Sequence, residues 1–98
     1  MVRWSRMVYN TEKSWIMKPY TDKDNIREFS SNVDELDLVW HQDKEDRLVE
    51  VLEGEGWKFQ RDNNVPVDMK IGDRIFIPEG EIHRIIKGTT NLKIKING

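Results

Sequence analysis

The chain has two histidines, His41 and His83, and each lies in a segment crowded with groups that bind protons or ions. The first segment reads Trp40-His41-Gln42-Asp43-Lys44-Glu45-Asp46-Arg47, and the second Pro78-Glu79-Gly80-Glu81-Ile82-His83. Imidazole can carry a proton near neutral pH or donate a lone pair to a metal. Arg47 has no lone pair to offer and presents a fixed positive charge, so its natural guest is an anion. Glu79 and Glu81 flank Gly80, where a carboxylate serves either as acid or base or as a solvated turn residue. Other chemistries are closed off. With no cysteine, disulfides, zinc fingers and thiol nucleophiles are excluded. Ser30 and Ser31 lack a His-Asp partner pattern, so a serine nucleophile has no support. No glycine-rich loop is present to cradle phosphate, and the bases near an aromatic at Arg3-Trp4 and Arg6 are too thin for a nucleic-acid platform.

The elements that must position these groups are mostly strands. Residues 1–18 carry Trp4, Met7, Tyr9, Trp15, Ile16 and Met17 without a helical period, which predicts an extended arm. Pro19 and the polar run 21–25 predict a turn, and Thr21-Asp22 caps one short helical turn ending near Phe29. Residues 36–41 read as the first strand, with Trp40 on the face opposite His41. Residues 47–53 alternate, placing Val49 and Val51 on one face and Leu48 and Leu52 on the other. Gly54-Glu55-Gly56 is a turn, and Trp57 and Phe59 share a face beyond it. Trp57 is a stacking partner for a ligand or a core residue. Asp62-Asn63-Asn64 turns again, and Pro66 makes 65–71 an edge strand. Strands follow at 74–77, 82–86 and 92–96, the last with Leu92, Ile94 and Ile96 inward and Lys93 and Lys95 outward. Short strands separated by Gly, Pro and Asn turns predict a sandwich or barrel.

The segment GDRIFIPEGEIH places Gly72, Pro78, Gly80 and His83 at the spacing of the second cupin motif, which it resembles. Each place has a physical reason. Gly72 permits a turn before a strand, Pro78 ends that strand where no ladder donor is needed, and Gly80 reverses the chain. The asparagine that often closes this motif is replaced by Lys87. Upstream, WHQDKEDRLVEVLEGEG looks like the first cupin motif, with His41 and Gly54 in place. Asp43 replaces its second histidine, Arg47 its glutamate, and Glu35 its leading glycine. The resemblance spans about residues 38 to 88. It implies a single-domain cupin, a double-stranded β-helix or jelly-roll barrel whose inward side chains line one cavity. Residues 1–32 would be an arm and lead-in and 33–98 the barrel core, one domain overall.

In that family three histidines and a glutamate hold a divalent ion. The resemblance therefore implies two competing sites. In one, Arg47 points inward beside His41 and His83, and a metal-free pocket binds a polar or anionic small molecule, with Trp57 as a further contact. In the other, His41, Asp43 and His83 form a two-histidine, one-carboxylate triad for iron, zinc or manganese, and Arg47 orients substrate for an oxygenase, isomerase or lyase. A unit charge about 4 Å from another costs about 4 kcal/mol at an effective dielectric of 20, roughly doubled for a divalent ion, so Arg47 opposes the metal unless an acid neutralises it. A packed interior in which both imidazoles only hydrogen-bond is the plain alternative. The His-x-Asp…His order is also similar to 2-oxoglutarate oxygenases, but Lys93 faces outward and the chain is short for them.

Ninety-eight residues suit one domain with a modest core, and 37% hydrophobic residues leave that core lean. Pairing with a second copy through an outer face bearing Trp40, Leu48 and Leu52 would compensate, and a homodimer is expected. The same patch allows a third reading, a non-catalytic partner-binding domain. The net charge of −2 gives no global pull toward nucleic acid or membrane. Nine acids stand between Asp34 and Glu55, whereas Arg84, Lys87, Lys93 and Lys95 face no acid after residue 83, so the two stretches can neutralise each other across a sheet. The first ten residues lack the apolar run of a signal peptide, and no stretch approaches the ~20 apolar residues of a membrane span. A cytoplasmic location is the expectation.

Overall fold

The alternation of residues 47–53 decides which side chains can meet inside the protein. The computed structural model describes residues 18–97, so the predicted arm, with Trp4 through Met17, lies outside the described residues. Eight strands follow in order: β1 (Tyr20–Lys23), β2 (Ile26–Phe29), β3 (Arg47–Glu53), β4 (Lys58–Arg61), β5 (Val67–Asp68), β6 (Arg74–Ile77), β7 (His83–Ile86) and β8 (Leu92–Asn97). They make two antiparallel sheets, one ordered β1-β2-β8-β3-β6 and the other β5-β4-β7. The all-β class is what the residues predict. Helical structure among the described residues is a 3-10 turn at Glu35–Asp37, capped by the Asp34 carboxylate on the Leu36 amide.

On β3, Val49 and Val51 are buried, and Arg47 shares their inward face. Val49 lies opposite Ile75 on β6 and Ile96 on β8, so one apolar layer crosses three strands. The charge asymmetry resolves on the outer face of the same pairing. Glu50 lies opposite Lys95, and Lys93 reaches to 3.5 Å from Glu53 beside a register shift in β3. Leu48 and Phe76 form an exposed apolar pair on that face.

Trp57 organises the far end of the core. It is completely buried and donates its indole N–H to the Thr90 carbonyl at 2.7 Å. The Thr89 amide bonds to the Glu55 carbonyl at 2.9 Å, so the 54–57 turn lies directly on the backbone of 88–90.

Two local expectations fail. Residues 20–29 form a hairpin rather than a helical turn, because Asp24 and Asn25 adopt positive φ (51° and 68°), the pattern of a two-residue hairpin loop. Phe29 opposite Leu92 then anchors the hairpin on β8, a tertiary contact that a local capping signal cannot reveal. Residues 36–41 are not a strand either. The Asp34 cap starts the 3-10 turn, Leu36 is exposed, Leu38 is buried, and extended pairing resumes only at His41.

Candidate metal centre

The site is assembled by draping the 38–46 segment over the start of β7. His41 and His83 pair through reciprocal backbone bonds of 3.0 and 2.9 Å. The Gly80 amide donates to the Asp43 carbonyl at 2.9 Å, and the Glu79 amide to the Asp46 carboxylate at 2.8 Å. The turn at Pro78-Glu79-Gly80 thus holds the loop that carries His41 and Asp43. The imidazole centroids lie 4.3 Å apart in an edge-on arrangement, with Phe59 packed 5.6 Å from the His83 ring.

Both rings are oriented by their own backbone. His41 Nδ1 contacts the Val39 carbonyl at 3.1 Å and His83 Nδ1 the Glu81 carbonyl at 2.8 Å. A carbonyl oxygen only accepts, so each ring carries a proton on Nδ1, and in the neutral tautomer that this selects the lone pair is on Nε2. Burial, and next the neighbouring His41, push His83 below the usual histidine range, against the opposing pull of Asp43 and Glu81. His83 is therefore neutral at pH 7, the state a metal ligand requires. An Asp43 oxygen stands 3.5 Å from His83 Nε2, too far for a good hydrogen bond. One nitrogen of each imidazole and one Asp43 oxygen all lie within 4.8 Å of one another, a group of three donors that could hold one ion.

Arg47 completes this layer from the opposite sheet. Its Nε lies 3.9 Å from the Asp43 carboxylate, an ion pair without a hydrogen bond, and that buried N–H has no hydrogen-bond partner. His41, Asp43, Arg47 and His83 all line one cavity of about 990 Å³. Trp57 does not line it; complete burial and the bond to Thr90 make it a core residue instead. Trp40 was expected on an outer face. Its ring meets that expectation, lying 4.6 Å from the Arg84 guanidinium on the face of β7 opposite His83 and Ile85, and the residue also borders the cavity. Glu81 pairs with Arg61, while Glu79 stays exposed at the cavity rim.

Tyr20 and Arg27 are lining residues that the sequence reading missed. The available signal was Asp24-Asn25 between two four-residue runs, a hairpin loop that turns Arg27 toward the sheet's inner face. Arg27 already has a partner: it donates two bonds to the Asp22 carboxylate at 2.8 and 3.0 Å and lies over the Tyr20 ring. Those bonds, aided by Arg27's charge and opposed by slight burial, hold Asp22 below the ordinary carboxylate range. A depressed folded value means that the pair stabilises the protein above the unfolded carboxylate pKa of about 4 and loses that contribution as pH falls through the folded value. Thermal melts of Asp22→Asn should show a deficit at pH 7 that narrows toward pH 2 to 3. A deficit constant with pH would assign it to something other than this bridge.

No family model matches the chain, and no curated protein does. Among solved structures, the chain is similar to the crystal structure of protein NMB1881 from Neisseria meningitidis, with 13% identity, 80% of each chain covered and a TM-score of 0.47.

Proposed function

We propose that this protein is a small cupin-type domain that holds a divalent transition metal through His41, Asp43 and His83 and binds an anionic small molecule beside it. The observation that carries this reading is the cluster of His41, Asp43 and His83, whose ligand atoms lie within 4.8 Å of one another, with the His83 Nε2 3.5 Å from the Asp43 carboxylate. Two imidazoles and one carboxylate suit iron, zinc or manganese and leave coordination positions open. A bound ion would act there as a Lewis acid.

The objection raised by Arg47 is weaker in the folded protein than in the sequence. Asp43 lies between the guanidinium and the imidazoles, and its negative charge offsets that of Arg47. A divalent ion then leaves the site with its full double positive charge, which favours an anion bridging the metal and Arg47. The unpartnered Arg47 N–H also supports a second reading, in which the pocket works without metal and the guanidinium alone holds the anion.

Elemental analysis of protein purified without a histidine tag, followed by titration with Fe(II), Zn(II) and Mn(II), tests the metal. The expected result is one transition metal per chain, lost in His83→Ala. Failure to retain any of the three ions would overturn the metal reading and leave the metal-free pocket.

A further inference from the structure

We infer that the ligand is amphipathic, a single anionic head at Arg47 with an apolar tail running into the interior. This deepens the reading of the same cavity and rests on its anion site, whether or not a metal is present.

The cavity is built in two tiers, and the strands set their order. On β3 the inward positions are Arg47 and then Val49, two residues apart and about 7 Å along the strand. On β7 they are His83 and then Ile85. The registers carry each step sideways: Val49 faces Ile75 and Ile96, and Ile85 faces Phe59. Along β3 and β7 the lining therefore changes from Arg47 and His83 to hydrocarbon at the next inward position, with Ile77 beside Arg47 and the Asp22-paired Arg27 one position beyond, opposite Ile94. These apolar side chains all line the cavity, as do Arg47 and His83.

Lys44 and Glu79 border the cavity from exposed positions, and the half-buried arginines are the charges that favour a place for the head. Arg27 also lines the cavity, but both of its bonds to Asp22 occupy it, so that pair is neutral toward a guest. Arg47 has a buried N–H without a hydrogen-bond partner, and Asp43 approaches only to 3.9 Å. A carboxylate or similar oxyanion can pair with the terminal N–H groups of the guanidinium, whose side chain is 27% exposed. A ligand charged at both ends would strand its second charge against Val49, Ile75 and Ile85, at high desolvation cost. A short, fully polar anion would leave the hydrocarbon tier without contacts.

The test is calorimetric titration of the full chain with acetate, butanoate, hexanoate, octanoate and neutral 1-octanol. Each titration is run on metal-loaded and on chelator-treated protein. Each added methylene should tighten binding about threefold to fourfold while it stays inside the cavity, giving at least about a hundredfold between acetate and octanoate. Arg47→Gln should weaken octanoate by about tenfold or more and leave 1-octanol unchanged. Equal affinity for acetate and octanoate overturns the apolar tail. Equal affinity for octanoate and 1-octanol, with Arg47→Gln indifferent, overturns the anionic head. Because chain-length dependence is read on chelated protein as well, the absence of metal binding would sink the metal reading without touching this one. Should Arg47→Gln fold poorly by circular dichroism, Arg47→Lys, which keeps the charge but not the planar fork, is the second variant. It is expected to retain part of the octanoate affinity, and complete indifference to it counts against Arg47 as the head group's partner.

Discussion

Gly88→Ala will destabilise this domain by about 3 kcal/mol or more, a fall of roughly 10 to 20 °C in melting temperature for a chain of this size. A Cβ at Gly88 would lie 2.3 Å from the Glu55 carbonyl oxygen and 2.5 Å from both the Trp57 backbone nitrogen and its ring carbon Cδ1. Two of these three obstacles are backbone, and the third belongs to a side chain that is fully buried and pinned through Thr90. None can give way by rotating a flexible tip. Relief requires separating the 54–57 turn from 88–90, which breaks the Thr89–Glu55 bond and opens the core around Trp57. Gly72→Ala is the matched control. Space is open around Gly72, but its φ of +92° disfavours a side chain, so about 1 to 2 kcal/mol is expected. Melts followed by circular dichroism decide the order. A Gly88→Ala variant that melts with the parent would show that the two turns do not touch in solution.

Asp43→Asn will change metal and anion binding in opposite directions. The amide keeps the shape of the side chain, and the Asp43 backbone carbonyl that accepts from Gly80 is untouched, so the loop should remain in place. Metal affinity should drop by about a hundredfold or more, since even outer partners of a metal ligand are worth 10- to 100-fold and a charged donor lost from the first sphere costs at least that. In chelator-treated protein the same change frees Arg47 from its counter-charge at 3.9 Å, and octanoate should bind severalfold tighter. Competition against a fluorescent chelator reads the first effect and calorimetry the second. Unchanged metal affinity would remove Asp43 from the donor set.

Much of this arrangement is legible in the residues. The 47–53 alternation places Arg47 on the face of Val49 and Val51, and the Gly72, Pro78, Gly80 and His83 series marks the turns that deliver His83 to the interior. Both signals are local, since strand period and turn chemistry are properties of a few adjacent residues. The hairpin at 20–29 is not local in that sense. Thr21-Asp22 looks like a helix cap and masks the Asp24-Asn25 loop, and the packing of Phe29 against Leu92 and Trp57 then holds the hairpin on the sheet. Trp57 looks like a stacking residue by type, but its role is fixed by the distant Thr90 carbonyl.

The His41–His83 bridge has a kinetic consequence. The same two backbone bonds that register the loop on β7 also fix the spacing of the imidazoles. When they part, His41 and Asp43, which share the loop, move away from His83 together, so an ion held by all three would lose its grip on one side at a single step. Conversely, an ion gripped by both rings would clamp the loop closed and slow the breathing of the 38–46 segment.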